Sequence, residues 1–328
     1  MKRNLLIGLL VVSLLSTIVF GVGAAETATL RFAAGGMGGG WYTIAAGLMQ
    51  LVSEKDPTIK IDVVPGAGMG NCSRVGIGEV DMALSQTAMN KLAFDGVEPY
   101  TEPYPDIRGG YKGFGAGACT FFVTKDTGLE SFDDLINQKY PIDLVIEGGG
   151  SAVPIFYSRI LEFYGVDFAT IEEWGGSVKF VGYDDQIAYM KDRHANAIVK
   201  TTFPDPSIQE IAFSKIDLRM LKYSDELRKY MTDKYSFRDC VVPKDSYDFL
   251  EEDIIVPATD TCLIFNKNAP EDVVYRFIKI ICENAERVKS ISPLLADNFN
   301  PSQLGAIGIG VPLHPGAEKY YKEIGWIK

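Results

Sequence analysis

The sequence predicts an α/β protein built around largely parallel sheets, and two observations carry that prediction. Short apolar runs alternate with segments of helical periodicity along most of the chain, which is the pattern of successive β-α units. Glycine-rich loops follow two of the apolar runs, at residues 35–40 and 148–154, where turns from strand to helix are expected. With 328 residues, the chain is long enough for two domains, each with its own core.

The N-terminus has the layout of a secretory signal peptide. Lys2 and Arg3 precede an apolar run over residues 5–22, and small residues then lead to Glu26. An uncleaved membrane anchor is the alternative, because the run approaches the roughly 20 residues that span a bilayer. The small residues favour cleavage before Glu26. We therefore expect residues 1–25 to be removed and the mature protein to be soluble and extracytoplasmic. A lipoprotein is not expected, because no cysteine lies near the end of the run.

The first predicted β-α units follow directly. Their strands are short apolar runs and their helices have amphipathic spacing. Predicted strands cover residues 29–34, 59–64, 81–85 and 119–126, and predicted helices cover residues 43–53 and 71–78.

The alternation continues into the second half of the chain. Ser131 and Asp134 have the spacing of a capping box at the start of a helix, and Gly165 can cap the end of the helix that follows the second glycine loop. Pro270 suits the first turn of a long helix. Predicted strands cover residues 142–147, 178–183, 196–199 and 261–266, and a further predicted helix covers 184–192.

Composition excludes several classes of function. The formal net charge is −11, and loss of Lys2 and Arg3 makes it −13, which argues against nucleic acid and anionic membranes as partners. The five cysteines have no C-x-x-C spacing, so a zinc site is not expected. Buried thiols are favoured over disulfides, although an exported chain could pair some of them. The two histidines leave little scope for histidine-based metal chemistry, and no cofactor or metal is expected.

The glycine-rich segment "GGMGGGWY", residues 35–42, resembles a dinucleotide-binding loop only in part. That fingerprint needs G-x-G-x-x-G; Gly36 and Gly38 fit, but Trp41 occupies the third position. The segment instead offers bare backbone N–H groups and a helix N-terminus to an anion or hydrogen-bond acceptor. The second glycine loop has the same arrangement of bare backbone before a helix, so the two loops could face each other across a cleft. Tight strand-to-helix turns without a ligand are the alternative.

Several motifs, in order along the chain, resemble one family. They are "GGMGGGWYTIAAGL" at residue 35, "NCSRVGIGEVDMALSQ" at residue 71, "GGGSAV" at residue 148 and "VPLHPGAEKYYKEIGW" near the end. The sequence is similar to the TRAP-transporter-associated extracytoplasmic immunogenic (TAXI) receptors, the solute-binding proteins of one class of tripartite ATP-independent periplasmic (TRAP) transporters. The resemblance covers residues 30–326.

The resemblance implies a type II periplasmic-binding-protein fold, in which two α/β lobes joined by a hinge close on a ligand. Residues 26–123 and 204–328 would form lobe I, and residues 124–203 would form lobe II. The implied function is capture of a small carboxylate-bearing metabolite, such as an amino acid or organic acid, and its delivery to the TRAP membrane subunits. We expect a monomer that binds no nucleic acid.

The resemblance also implies where the ligand binds. The candidate residues of lobe I belong to the glycine loop, the next helix and the end of the third strand: Gly38, Gly39, Gly40, Trp41, Tyr42, Asn71, Ser85 and Gln86. Those of the second glycine loop, the following helix and the return crossing are Gly150, Ser151, Ala152, Tyr183, Phe203 and Pro204. Ala152 and Val153 stand where the family has Gly and Thr, which removes one hydroxyl. Arg74 could pair with a carboxylate or lie on the surface.

Two other functions compete with transport. An exported enzyme on this architecture would need a nucleophile with a base or a metal cluster, and the sequence contains no recognisable motif of either kind. A binding protein that presents its ligand to a sensor kinase is the other alternative. His314, followed by Pro315, is expected to begin a helix rather than to act in catalysis.

Overall fold

The computed structural model describes residues 27–37, 40–148, 151–201 and 205–328, so the predicted signal peptide lies outside the described residues. The described strands form two sheets. The first contains β1 (Ala28–Ala33), β2 (Ile59–Val64), β3 (Met82–Gln86), β4 (Ile107–Ala118), β10 (Arg238–Val242) and β11 (Ile254–Asn266). The second contains β5 (Thr120–Thr124), β6 (Asp143–Glu147), β7 (Ser177–Val181), β8 (Ala197–Lys200) and β9 (Leu218–Met220).

Both sheets share one arrangement of strands. In the first sheet, β1 lies between β2 and β3 and runs parallel to both, and the antiparallel β11 pairs with β3. In the second sheet, β6 lies between β7 and β8 and runs parallel to both, and the antiparallel β5 pairs with β8. The parallel strands of each sheet therefore end at a common edge, which is where open α/β sheets bind ligands.

Helices connect and cover the strands. In chain order they are α1 (Gly40–Lys55), α2 (Gly68–Gly76), α3 (Thr87–Asp95), α4 (Phe132–Asn137), α5 (Val153–Phe163), α6 (Phe168–Glu173), α7 (Tyr183–Lys191), α8 (Pro206–Phe213), α9 (Asp225–Tyr235), α10 (Glu271–Glu283), α11 (Ala285–Lys289), α12 (Pro293–Asn298), α13 (Gln303–Ala306) and α14 (Pro315–Glu323). Among the described residues, no helix has both the length and the apolar character needed to cross a bilayer.

The predicted helix caps are confirmed. The backbone N–H of Asp134 donates to Ser131 Oγ at 3.1 Å, and the backbone N–H of Ser131 donates to Asp134 Oδ2 at 2.9 Å, which completes the capping box of α4. Gly165, after α5, has a φ of 71°, the left-handed conformation that glycine adopts without strain.

His314 begins α14, as predicted. Its Nδ1 accepts a hydrogen bond from the backbone N–H of Gly316, and its Nε2 lies 3.1 Å from the carbonyl oxygen of Ala269. Both ring nitrogens are therefore used to hold the helix start. Burial lowers the pKa of His314 to about 4, so the ring is neutral at physiological pH.

All five cysteines are free, and four of them are buried, with Cys240 half-buried. The predicted use of cysteines as buried thiols is therefore confirmed for those four. Burial raises the pKa of each buried thiol, which keeps the thiols protonated and unreactive.

The two sheets divide the chain differently from the predicted lobe boundaries at residues 123 and 203. Strands β5 and β9 pair with each other in the second sheet, whereas the prediction assigned most of β5 and all of β9 to lobe I. The chain enters the second sheet between Ala118 and Thr120 and returns to the first sheet between β9 and β10. The reason is that an apolar run predicts a strand but does not identify the strand with which it pairs.

Candidate functional site

A cleft of about 360 Å³ lies between the two sheets. Both sheets line it with the residues that end their parallel strands or follow them directly. Strands β1, β2 and β3 contribute from one side, and β6 and β8 from the other. This is the edge at which the topology predicts a ligand, and the cleft brings the two glycine-rich loops of the sequence together.

Glycine backbone forms much of the first wall. Gly35 and Gly36 follow β1, and residues 66–68 follow β2. A side chain at Gly66 would lie 2.2 Å from Asn71 Oδ1 and 2.8 Å from the carbonyl oxygen of Ala34. Glycine is therefore required at this position for the loops to approach each other closely.

The side chain of Asn71 stabilises this wall on the side that faces away from the cleft. Its Nδ2 donates to the carbonyl oxygens of Ala34 at 2.7 Å and Leu84 at 2.8 Å, and its Oδ1 accepts from the backbone N–H of Ala67 at 3.2 Å. The side chain is fully buried. Asn71 therefore ties the end of β1 and the middle of β3 to the start of α2, and it does not line the cleft.

Trp41 and Gln86 supply side chains to the first wall. A Cβ placed at Gly68 would lie 3.6 Å from Trp41 Cη2 and 3.7 Å from Gln86 Oε1, so the ring and the amide both lie beside this glycine. A Cβ at Gly117 would lie only 2.9 Å from Gln86 Nε2. The Gln86 amide thus occupies space that two glycines leave open, at the end of β3, where it can donate to and accept from a ligand.

The second wall consists of the end of β6 and the start of α5. Glu147, Gly148, Ser151, Ala152 and Val153 all line the cleft. Ser151 Oγ accepts from the backbone N–H of Val153 at 3.2 Å, so the hydroxyl satisfies one of the free N–H groups at the start of α5. The N-terminus of α5 is directed at the cleft, and its dipole favours negative charge there.

A buried group of charges lies beside the second wall. Glu147 and Lys200 are the last residues of the paired strands β6 and β8, and their charges interact. Lys200 is only 4% exposed, and its Nζ donates to Gln186 Oε1 at 2.5 Å. Burial lowers the pKa of Lys200, while Asp205 and Glu147 act to raise it. Burial raises the pKa of Glu147, and Lys200 opposes that shift.

Four of the predicted site residues line the cleft. They are Trp41, Gln86, Ser151 and Ala152. Gly40 begins α1 outside the cleft lining, and Tyr42 is half-buried against the core of the first sheet. Tyr183 begins α7. The predicted residues Gly38, Gly39, Gly150, Phe203 and Pro204 lie outside the described residues.

Three predicted residues lie elsewhere, each for a physical reason. Asn71 is engaged with backbone groups, as described above. Ser85 is fully buried, with its Oγ 3.0 Å from the sulfur of Cys72. Arg74 donates to Glu79 Oε1 and to the carbonyl oxygen of Pro65, both at 2.8 Å, so the surface alternative describes its position.

Sequence reasoning missed several residues that line the cleft: Gly66, Ala67, Gly68, Gly115, Ala116, Gly117, Glu147, Thr201, Thr261 and Leu294. Two signals were available. "GFGAGA", residues 113–118, contains three glycines within one strand, which indicates that another group approaches the backbone closely. Glu147 is an acid at the end of a buried strand, directly before a glycine loop.

The described part of the chain contains no cluster of three His, Cys, Asp or Glu residues that could hold a metal ion. Neither histidine is among the described residues that line the cleft. The described lining offers hydrogen bonding by backbone, amide and hydroxyl groups, together with one carboxyl group and an aromatic ring.

Known structures share this architecture. A TctC solute-binding protein from Polaromonas superposes with a TM-score of 0.54 at 14% identity, over 93% of this chain and all of the other. XAC2383 from Xanthomonas citri, solved bound to ATP, gives 0.54 at 12% identity, over 91% of this chain and 96% of the other. The periplasmic sulfonate-binding protein SsuA from Methylobacillus flagellatus gives 0.52 at 12% identity, over 92% and 96%.

These likenesses concern the fold. The chain has the two-lobed α/β fold of periplasmic solute-binding proteins, which confirms the predicted fold class. Its sequence matches the NMT1-like family over residues 32–325. Because this match covers most of the sequence, the chain belongs to the NMT1-like family.

Proposed function

We propose that this protein is the extracytoplasmic solute-binding receptor of a TRAP transporter and that it captures a small carboxylate-bearing metabolite between its two lobes. One observation carries the proposal: both sheets direct the ends of their parallel strands, with glycine-rich loops, into a single cleft. The structural relatives named above include two described as solute- or sulfonate-binding proteins, which supports a binding role.

The chemistry of the cleft supports a ligand with a carboxylate group. Gly35, Gly36 and residues 66–68 bring bare backbone to the surface of the first wall, and α5 begins at the second. Backbone N–H groups and helix N-termini bind anions without a cationic side chain. The amide of Gln86 and the hydroxyl of Ser151 add side-chain groups that can bind the remainder of the ligand.

The TRAP and TAXI assignments rest on the sequence motifs described above. These assignments imply that the protein is exported, cleaved before Glu26, and acts in the periplasm or an equivalent extracytoplasmic space. They also imply that its partners are TRAP membrane subunits. The predicted contacts of the undescribed Gly38, Gly39, Gly150, Phe203 and Pro204 with the ligand belong to the same proposal. Presentation of the ligand to a sensor kinase is the second candidate, and membrane subunits or a kinase encoded beside the gene would distinguish the two.

A ligand screen tests whether the protein binds or reacts. We expect at least one small carboxylate to raise the melting temperature, because a ligand that binds only the folded state adds about 2.7 kcal/mol of stability at 100 times its dissociation constant. We expect that ligand to be recovered unchanged after long incubation. Consumption of the ligand at a rate proportional to protein concentration would instead indicate an enzyme.

A matched pair of glycine variants tests where the ligand binds. Gly68 and Gly70 both lie in α2, so both variants bear the same helix-propensity change. Gly68 lines the cleft beside Trp41, whereas a Cβ at Gly70 meets nothing within 4 Å and Gly70 does not line the cleft. We expect Gly68→Val to weaken binding at least about tenfold, a loss of ~1.4 kcal/mol, and Gly70→Val to bind like the wild type. Equal affinities in both variants would place the ligand elsewhere.

A further inference from the structure

Glu147 is an acid in a cleft whose described lining contains no Lys or Arg. The internal residues outside the described ranges, at 38–39, 149–150 and 202–204, include no basic residue either. Thus no basic side chain of the lining balances the Glu147 carboxylate. A purely anionic ligand, such as a dicarboxylate, would bring further negative charge to this carboxylate.

The charges around Glu147 leave an excess of negative charge on this side of the cleft. Lys200 and Asp205 are the charged groups that act on Glu147. The buried Lys200 in turn interacts with two carboxylates, those of Glu147 and Asp205. Glu147 is half-buried, and closure of the lobes over a ligand would remove more water from it, which is costly for a carboxylate that shares its one neighbouring lysine with a second acid.

We propose that Glu147 binds a cationic nitrogen of the ligand and so selects an ammonium-bearing carboxylate over a purely anionic acid. This inference rests on the proposed function, which supplies the carboxylate. The ligand carboxylate would lie at the backbone N–H groups of the described first wall, Gly35, Gly36 and residues 66–68, and at the start of α5, and its ammonium group would donate to the Glu147 carboxylate. The resulting bond is charge-assisted, and it supplies the positive charge that the lining lacks.

The test uses sets of three probes that differ by one group. Each set contains an amino acid, its deamino acid and its decarboxylated amine, for example glutamate with glutarate and 4-aminobutyrate, or phenylalanine with 3-phenylpropionate and phenethylamine. Affinities are measured by titration calorimetry for the wild type, Glu147→Gln and Glu173→Gln. Glu173 lies exposed at the end of α6, so its variant matches the change in charge on the same lobe, away from the cleft.

For the set that binds, we expect the wild type to bind the amino acid about 10- to 100-fold more tightly than the deamino acid, the range of a hydrogen bond to a charged group. Glu147→Gln should remove that preference, and Glu173→Gln should keep it. Circular dichroism and thermal unfolding of both variants check their folding. The comparison within the wild type needs no variant, so it stands even if Glu147→Gln folds poorly.

Three results would contradict the inference, and they separate it from the proposed function. A deamino acid that binds as tightly as its amino acid, or a preference that survives in Glu147→Gln, would overturn the role of Glu147 and leave the receptor proposal intact. An amine without any carboxylate, such as phenethylamine, that binds as tightly as its amino acid would support Glu147 but remove the need for a carboxylate. Absence of binding by every probe would contradict both proposals.

Discussion

The variant Asn71→Ala tests whether the Asn71 side chain stabilises the first wall of the cleft. The variant removes the hydrogen bonds donated to Ala34 and Leu84, a longer one to Ala33, and the one accepted from Ala67. Each such bond contributes about 1 kcal/mol net, and the partners stay buried without a replacement. We therefore expect the free energy of unfolding to decrease by about 3 kcal/mol.

Asn284→Ala is a matched control for this variant. Asn284 makes one side-chain hydrogen bond, from Nδ2 to the carbonyl oxygen of Ile280 at 2.8 Å, outside the cleft, so its loss should cost about 1 kcal/mol. Urea unfolding followed by circular dichroism measures both. Because Asn71 also positions the start of α2 beside the cleft, its variant should bind the screened ligand more weakly. A loss for Asn71→Ala no larger than that of the control would refute the role assigned to Asn71.

Two further predictions concern the pH dependence of stability and the packing of Gly117 against Gln86. The pKa of His314 is about 4 in the folded protein and about 6.5 when exposed, so the unfolded chain binds the proton first as the pH falls. The free energy of unfolding should therefore decrease by about 3 kcal/mol between pH 6.5 and pH 4 through this group. His314→Asn, which can still cap α14, should show a correspondingly shallower pH dependence in urea unfolding, and an unchanged slope would contradict the assignment. Gly117→Ala should lower the free energy of unfolding by about 1 to 3 kcal/mol and weaken ligand binding. The reason is that its Cβ would lie 2.9 Å from both Gln86 Nε2 and Thr259 Cγ2. A variant that is as stable as the wild type and binds the ligand as tightly would contradict this prediction.

Local sequence signals predicted the strands that alternate or are continuously apolar. β2 was predicted with the bounds that the structure shows, because Ile59 and Ile61 alternate with polar residues. β4 was not predicted, since its glycines have low strand propensity. It forms because β11 pairs along most of its length, and that pairing joins residues 140 or more positions apart in the sequence.

The candidate site was predicted in part, for a similar reason. The glycine loops and Gln86 could be located because they follow apolar runs, and the ends of parallel strands converge. The partners of Asn71 are backbone carbonyls of Ala34, directly after β1, and of Leu84 in β3, and no local pattern reveals them. Glu147 was overlooked because an acid at a strand end is common in solvent-exposed positions, and only the pairing of β6 with β8 brings it beside Lys200.

A crystal structure of the protein grown with the tightest ligand from the screen tests the central claim most directly. We predict that the ligand lies between residues 66–68 and the start of α5, with its carboxylate within about 3 Å of backbone N–H groups and its covalent structure unchanged. Density for the ligand outside this cleft, or for a chemically altered product within it, would contradict the account.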